Sequence, residues 1–522
     1  MKQTMRQHSF TAQLKSLAVV FGMALAFASC ANEDVPQNPT KSNEDNDKNL
    51  TTFVTGGETR TSMDYSGNFY WEKDDYIYVK DDDGVLRKST NAPTSKVAAF
   101  TYTVPGKFTA NTSYKVYYFG KNSSNNQVVI PSTQSQSTPN NTEHFGVSGD
   151  YGTATATGTL GGKEFSFELE HQAAYLVFHP YVSNTLLQNC YLTKIEVSSD
   201  NDIASTYSLN ASTGTLQSVS TGAASDKEII LSTKGSGAYA NGFPLNTASD
   251  NIAVNGAYMV IKPGTHTLKV RYWLKDVSTG IEGTITKAFK AFTYSENSYY
   301  DIDGNLNIRD YDGDHYYMWD AQEQYWKGHE WWSANKDQPV LTGNTNTNYP
   351  KSNTDPRYYN EAFTFGVDNP ATHTPCKDLP NANEMTWYAA KGDPRWDKDE
   401  LWTTMGHLYK GGMWFKKKSQ ISGFNANTAE DGSDWRTTNN SRSRTASNTP
   451  PSAADASNYF YLPALGYYYS GQLDDVGNSG YYWSSSAHPS YSRSAYVLYF
   501  FSGFVNVYYG GRFFGYRVGR FE

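Results

Sequence analysis

The chain has 522 residues, which is too long for a single hydrophobic core, so roughly two to four domains are expected. Its net charge of −8 is modest and no lysine/arginine cluster stands out, which argues against a nucleic-acid partner. Three cysteines, one of them near the N-terminus, exclude a disulfide framework. Cys190 and Cys376 are interpreted as small buried hydrophobes, with a bridge between them as the alternative. The 42 glycines and abundant tyrosine indicate an all-β, extracellular type of protein.

Residues 1–30 have the pattern of a secretory signal peptide. Basic residues precede an apolar run at 17–28, which is too short to span a membrane. The small residues before Cys30 resemble the lipobox of bacterial lipoproteins, although Phe27 stands where leucine is usual. The resemblance implies lipidation of Cys30, and several acyl chains would anchor firmly because each buried methylene adds about 0.8 kcal/mol. An ordinary cleaved signal with an incidental cysteine is the alternative.

Residues 31–50 are rich in Asn, Asp, Lys and Pro, a composition that predicts a solvated, disordered tether. The pair Glu33-Asp34 resembles the acidic surface-export signals of Bacteroidetes lipoproteins. The expected location is therefore the outer membrane, as a lipoprotein exposed at the cell surface.

Short strand-like runs recur between residues 51 and 308, with turn signals between them and no convincing amphipathic helix. Examples of these runs are 76–79, 114–119, 175–178, 258–261 and 268–273. The pattern predicts β-sandwich domains, which we place at 51–185 and 186–308.

Several segments of this half resemble the fimbrillins, the subunits of Bacteroidetes pili. The segments that carry the resemblance are 59–62, 69–79, 167–178, 192–197, 203–209 and 213–216. The resemblance implies two β-sandwich domains and an Arg-directed protease that removes the first strand. A strand of a neighbouring pilin subunit then fills the groove by donor-strand insertion. Arg60 is the candidate cleavage site, and the alternative is a charged residue at a strand edge without processing.

Residues 301–312 place oxygen-bearing side chains at alternate positions, as a calcium loop does. The segment lacks glycine at the sixth position and glutamate at the twelfth, so a turn at a domain boundary is the favoured interpretation and calcium the alternative. His171 and His179 have no metal-ligand spacing, and structural roles are expected for them. We predict no metal and no cofactor.

The composition shifts in residues 309–522, where tryptophans become frequent. Asn383 to Ala390 predicts a short helix, and residues 405–417 predict a loop entering a strand. Three segments resemble the C-type-lectin-like domain of Bacteroidetes surface proteins (the Fibrobacter major paralogous type), namely 462–466, 482–485 and 515–518. The predicted fold class is mainly β: two fimbrillin-type β-sandwich domains followed by an α+β C-type-lectin-like domain.

Residues 495–501 and 504–509 flank Ser502-Gly503 and predict a terminal β-hairpin. If Phe501 pairs with Phe504, one face carries Tyr496, Leu498, Phe500, Val505, Val507 and Tyr509. The other then carries Val497, Tyr499, Phe501, Phe504, Asn506 and Tyr508. The first face is suited to burial and the second, aromatic face to ligand contact, with burial of both faces as the alternative.

In some lectin-like domains of this type, a retroelement that mutates template adenines diversifies the C-terminal segment. The scatter of Tyr, Ser, Phe, Arg and Val here resembles that outcome, although Tyr509 falls on the face expected to be buried. The candidate ligand-binding residues are Tyr491, Arg493, Ser494, Val497, Tyr499, Phe501, Phe504, Tyr508, Phe513 and Phe514.

Enzymatic motifs are incomplete. Gln338-Pro339 is followed by Val340, so the calcium-dependent sugar motif of lectins is absent, and His329-Glu330 lacks the second histidine of a zinc protease. Four acidic residues that could supply a glycosidase pair are interpreted instead as a solvated loop, namely Asp393, Asp397, Asp399 and Glu400. We expect a non-enzyme.

The expected function is that of a surface adhesin at the tip of a pilus, or fimbrium. Its partners would be other pilin subunits and a host, bacterial or glycan surface ligand. The alternative is a lipid-anchored glycan-binding protein of a polysaccharide-uptake system.

Overall fold

A computed structural model describes residues 50–55, 62–63, 65, 69–121, 127–210, 212–219, 221–361, 370–519 and 521, and the backbone of residues 5–9. The predicted lipidation site Cys30, the tether up to residue 49 and the processing site Arg60 lie outside these residues. Within them, strands predominate over two α-helices, so the mainly β prediction is confirmed. No helix in this part of the chain is long and apolar enough to cross a membrane.

The first sheet is formed by eight of the thirteen described strands that precede residue 172. The strands up to that point are β1 Met5–Ser9, β2 Leu50–Thr55, β3 Ser62–Met63, β4 Phe69–Tyr70, β5 Tyr78–Lys80, β6 Leu86–Lys88, β7 Thr101–Pro105, β8 Ser113–Tyr118, β9 Gln127–Ile130, β10 Thr133–Ser135, β11 Gly152–Gly158, β12 Glu164–Phe167 and β13 Glu170–His171. The sheet has the order β6-β5-β8-β11-β12-β2-β7. Strand β2 is therefore internal, and its Phe53 is fully buried against Phe108 and Phe165.

The second region packs two sheets face to face around one core. Its elements are β14 Ala174–Tyr181, β15 Cys190–Ser199, β16 Ser205–Leu209, β17 Leu216–Val219, β18 Glu228–Ser232, β19 Phe243–Pro244, α1 Ile252–Asn255, β20 Ala257–Ile261, β21 Gly264–His266, β22 Leu268–Asp276, β23 Glu282–Ala288, β24 Phe292–Tyr294 and β25 Ser298–Asn305. One sheet has the order β1-β25-β14-β20, and the other contains β10-β18-β15-β22-β23.

Two boundary features differ from the sequence interpretation. Strands β9, β10 and β14 precede the predicted domain boundary at 185–186, yet they pair with strands beyond residue 186. The predicted domain ranges therefore remain a prediction. Residues 301–305 belong to strand β25 rather than to a turn, because their backbone pairs with β14 along its length. In this strand Asp301 accepts a hydrogen bond from His179, at 3.0 Å.

The third region combines one helix with strands of 2 to 10 residues. Its elements are β26 Tyr316–Tyr317, α2 Ala382–Lys391, β27 Arg395–Thr404, β28 His407–Lys416, β29 Arg442–Thr445, β30 Tyr459–Pro463, β31 Leu465–Tyr469, β32 Gln472–Val476, β33 Ser479–Ala487, β34 Ser494–Phe501, β35 Phe504–Gly511 and β36 Tyr516–Arg517. The predicted helix is confirmed as α2, which begins at a capping box formed by Asn381 and Glu384. Its main sheet has the order β26-β36-β33-β34-β35-β29.

The second and third regions share a sheet, because β23 pairs with β27 through Thr284 and Glu400. The prediction of a solvated loop at Asp393, Asp397, Asp399 and Glu400 is wrong for the last three, which lie in β27; Asp397 and Glu400 are 2% and 8% exposed. The Arg271 guanidinium lies 2.9 Å from the Asp397 carboxylate, and threonine hydroxyls donate to Glu400. These partners, which are far away in sequence but in direct contact in the fold, offset the free-energy cost of burying the carboxylates.

Both cysteines within the described residues are buried and free, as predicted. Cys190 lies at the start of β15, and Cys376 accepts a hydrogen bond from the Asp320 backbone N–H. Each therefore serves as a small core side chain.

Candidate functional site

The terminal hairpin β34–β35 has the register expected from its sequence, with Phe501 opposite Phe504. Gly503 in the turn has a φ of 75°, a left-handed conformation that favours glycine. The central residues of the first face are buried, namely Tyr496, Leu498, Phe500, Val505 and Val507. The prediction that this face enters the core is confirmed.

The opposite face of the hairpin continues into neighbouring strands as a surface of half-buried or exposed rings. This surface, called the aromatic face below, consists of Tyr467, Tyr469, Tyr481, Tyr499, Phe501, Phe504, Tyr508, Phe513 and Phe514. Every member lies within 6 Å of another member, measured between ring centroids. The contact between Tyr467 and Phe514, at 5.8 Å, joins the two groups of rings, so they form one connected surface rather than isolated exposed side chains.

Cross-strand pairing positions these rings. Tyr481 of β33 lies directly opposite Tyr499 of β34, and the two rings stack at 4.6 Å. The rings of Phe501 and Phe504 stack at 4.8 Å beside the turn. Directly opposite side chains on a sheet lie close enough for such contacts, which hold each ring in a defined orientation.

Val497 is the one predicted ligand residue that the fold removes from the surface. It is fully buried in a core cluster with Trp319, Cys376 and Trp483. The segments carrying Trp319 and Cys376 cover the end of the face that lies far from the turn. Assignment of Val497 to a ligand surface is therefore corrected.

Three other predicted residues lie away from the aromatic face. Tyr491 is 49% exposed, and its ring stacks on His488 at 4.6 Å and contacts Tyr509. Ser494 shares the side of β34 that carries Tyr496, and exposed Arg493 precedes the strand. The structure therefore divides the predicted residues between two sides of the hairpin. Tyr499, Phe501, Phe504, Tyr508, Phe513 and Phe514 are the ones that it brings together.

Sequence reasoning missed the contributions of β31 and β33, namely Tyr467, Tyr469 and Tyr481. The alternation of side chains along a strand is the signal that could have revealed them. Tyr468 and Tyr482, which neighbour them in sequence, are buried, whereas these three remain accessible. That alternation could be recognised only after both runs had been placed beside the hairpin.

Two carboxylates border the aromatic face. The Tyr481 hydroxyl donates to Asp475 at 3.3 Å, and Tyr467 pairs across the strands with Asp474. Burial, followed by the neighbouring Tyr499 and Asp475, raises the pKa of Tyr481. Burial together with Asp475 and Asp474 also raises the pKa of Tyr467. Both hydroxyls are therefore protonated donors at neutral pH.

Asn506 lies on the same side of β35 as Phe504 and Tyr508. Its Oδ1 atom is buried and has no hydrogen-bond partner among the described residues. The face can thus offer ring surfaces, hydroxyl donors and carboxylate acceptors to a ligand. Within the described residues, no group of three or more His, Cys, Asp or Glu side chains could hold a metal ion.

No family model matches the chain, and no curated protein matches it. Several solved structures are similar. A candidate cell adhesion protein from Bacteroides ovatus has 14% identity and a TM-score of 0.30, with coverage of 47% of this chain and 89% of that one. Another candidate cell adhesion protein, from Bacteroides uniformis, has 19% identity and a TM-score of 0.28, with coverage of 46% of this chain and 88% of that one.

A fimbrial protein from Bacteroides ovatus is similar over a longer stretch. It has 10% identity and a TM-score of 0.22, with coverage of 89% of this chain and 98% of that one. At these TM-scores the likeness transfers no residue role and no activity to this chain.

Proposed function

We propose that this protein is a non-enzymatic surface adhesin that binds its ligand through the aromatic face. The observation that carries the proposal is the connected set of accessible rings on one side of a hairpin whose other side is core. Contiguous exposed apolar surface on a soluble domain typically marks an interaction site. Tyrosine and phenylalanine supply large contact areas at a low cost in conformational entropy.

The chemistry at the border of the face favours a glycan as the ligand, and this observation also supports the second candidate, a lipid-anchored glycan-binding protein. Rings stack on the apolar faces of sugars, while the carboxylates of Asp474 and Asp475 can accept hydrogen bonds from sugar hydroxyls. The lectin-like resemblance of the sequence agrees with this ligand class. Retroelement diversification of the segment remains part of the proposal.

The test of the aromatic face is a glycan array and a cell-adhesion assay with the purified chain. Tyr499→Ala and Phe501→Ala are expected to weaken binding about tenfold or more, as truncation of central aromatic contacts does at interfaces. Trp332→Ala is the matched control, because this ring is 52% exposed but lies outside the aromatic face. Equal losses in all three variants, or none in the first two, would contradict the proposal.

We further propose that the protein engages pilin subunits by strand exchange. The internal position of β2 supports this mechanism, since removal of that strand would expose the edges of β7 and β12. It would also leave the rings of Phe108 and Phe165 without Phe53. A partner strand with an apolar residue at that position would fill the same groove. Placement at the pilus tip is part of this proposal, and lipidated Cys30 would hold the subunit at the outer membrane before assembly.

Treatment with an Arg-specific protease tests the strand exchange. Cleavage after Arg60 should release the segment containing β2 and permit binding of a synthetic peptide with the sequence of residues 50–55. An Arg60→Ala chain should stay uncleaved there and bind no peptide. Substoichiometric recovery of this chain with isolated pili would favour the tip, whereas a polymer of this chain alone would contradict it.

A further inference from the structure

A cavity of about 320 Å³ lies where the second and third regions meet. Strands β22 and β23 contribute Lys269, Arg271 and Ala288 to its wall, and β27 and β28 contribute Asp397 and Trp414. The segment 450–459 completes it. Small-molecule sites commonly have this size and occupy interfaces between domains.

The charges of the cavity are unequal. Three of its described lining residues are cationic, namely Lys269, Arg271 and Lys417, and Asp397 is the one acidic residue among them. Among the lining residues three positive charges face one negative charge, and outside the lining Glu196, Glu228 and Glu400 also act on Lys269 and Arg271. Arg271 neutralises Asp397, whereas the ammonium groups of Lys269 and Lys417 donate to backbone carbonyl oxygens, of Pro451 at 2.8 Å and of Ser457 at 2.7 Å.

Two observations indicate that the positive groups of the cavity are not fully compensated. Burial, followed by Arg271, lowers the pKa of Lys269 although the carboxylates of Glu196, Asp397 and Glu228 act against that shift, so a further anion would stabilise its charged form. The Arg271 Nε atom is buried without a hydrogen-bond partner among the described residues, and the residue as a whole is 7% exposed. Buried donors are normally satisfied, so the unpaired N–H leaves the positive charge of Arg271 incompletely compensated beside the cavity.

We propose that this cavity binds a small acidic sugar, of the uronic or sialic acid class. Its carboxylate would lie between Lys269 and Lys417, and its ring would lie against Trp414. The Trp414 indole and the side chains of Pro450 and Pro451 provide the apolar wall that a sugar ring needs. The Asp397 carboxylate accepts from the Trp414 indole at 3.2 Å and so holds this ring in the cavity wall.

Such a ligand would contact both regions at once, so it should stabilise their junction as well as occupy the cavity. This site is separate from the aromatic face, and it requires no strand exchange. A negative result at the cavity would therefore leave the proposed function untouched, and the reverse also holds.

Calorimetric titration and thermal unfolding of the full chain test the cavity with sodium glucuronate, N-acetylneuraminate, glucose and acetate. One or both acidic sugars should bind and raise the unfolding temperature, with glucose and acetate at least tenfold weaker. The relative affinities for glucuronate and N-acetylneuraminate distinguish the two classes. Absence of binding by both acidic sugars, or acetate binding equal to theirs, would overturn the assignment.

Variants locate the binding. Lys417→Met removes a half-buried ammonium group and should lower the affinity at least tenfold, whereas Lys391→Met removes an exposed one elsewhere and should leave it unchanged. Lys269→Met is the second variant, with its folding verified by circular dichroism. Tyr499→Ala serves to detect any binding of the same sugar at the aromatic face. A loss in Tyr499→Ala equal to that in Lys417→Met would place the sugar on the aromatic face and overturn the cavity site.

Discussion

The terminal hairpin and strand β27 distribute their side chains in opposite ways. The hairpin leaves Phe501 37% exposed, whereas β27 holds the carboxylates of Asp397 and Glu400 at 2% and 8% exposure. The difference arises from what packs against each element. One side of the hairpin has aromatic neighbours in the same sheet, whereas β27 has Arg271 and two threonines of the second region beside it.

The comparison shows that the polarity of a side chain does not by itself determine its burial. Burying a carboxylate without a partner costs several kcal/mol, so the carboxylates of β27 require the guanidinium and hydroxyl groups. Leaving rings in solvent forgoes hydrophobic stabilisation of about 25 cal/mol per Å² of apolar surface. A ligand that covers these rings would bury the same apolar surface, and this burial would contribute to its binding free energy.

One of the two largest expected effects is at the junction between the second and third regions. Arg271→Met removes the partner of Asp397 and should destabilise the junction by about 3–5 kcal/mol, because an uncompensated buried charge remains. Urea unfolding followed by tryptophan fluorescence measures the loss. Arg436→Met breaks a half-exposed pair with Asp434 and should cost about 1 kcal/mol or less. Similar losses in the two variants would contradict the importance of burial.

The two sides of the hairpin provide the next test. Phe500 is fully buried beside Phe415 and Tyr482, so Phe500→Ala should cost about 3–5 kcal/mol. Phe501→Ala should change thermal stability by about 1 kcal/mol or less, since its ring is partly solvated. The reverse order would mean that the hairpin register is different in solution.

The third test is the pH dependence of the junction. Burial, followed by Asp397, raises the pKa of Glu400 to about 7. Since the folded pKa lies above the unfolded value, this contribution to stability is fully present below about 4.5 and is lost as the pH rises through about 7. Thermal unfolding across this range should show the decline. In Glu400→Gln the decline should be smaller, and an unchanged profile would assign it to other groups.

The smallest effect is expected at the border of the aromatic face. Tyr481→Phe removes the hydroxyl that donates to Asp475 while keeping the ring stacked on Tyr499. Stability should fall by about 1 kcal/mol or less, the usual net value of one hydrogen bond. Glycan binding measured on the same variant separates the hydroxyl from the ring, since a loss would assign the contact to the hydroxyl.

Local signals in the chain determined much of the fold. The turn at Ser502-Gly503 and the alternation on either side of it predicted the hairpin register and its buried face. Asn383 to Ala390 predicted α2, because helix capping and helix propensity act within a few residues. The mainly β class followed from the recurrence of short strand runs. These features depend on neighbours close in sequence, so the sequence alone contains them.

Tertiary structure decided the rest, because the groups involved are far apart along the chain. Asp397 is 126 residues from Arg271, and no local pattern indicates that the two meet. Val497 alternates with accessible residues, yet segments around Trp319 and Cys376 cover it. Tyr467 and Tyr481 join the aromatic face only when β31 and β33 pack beside the hairpin. Burial and charge pairing are properties of the packed chain, so they could not be read from neighbouring residues alone.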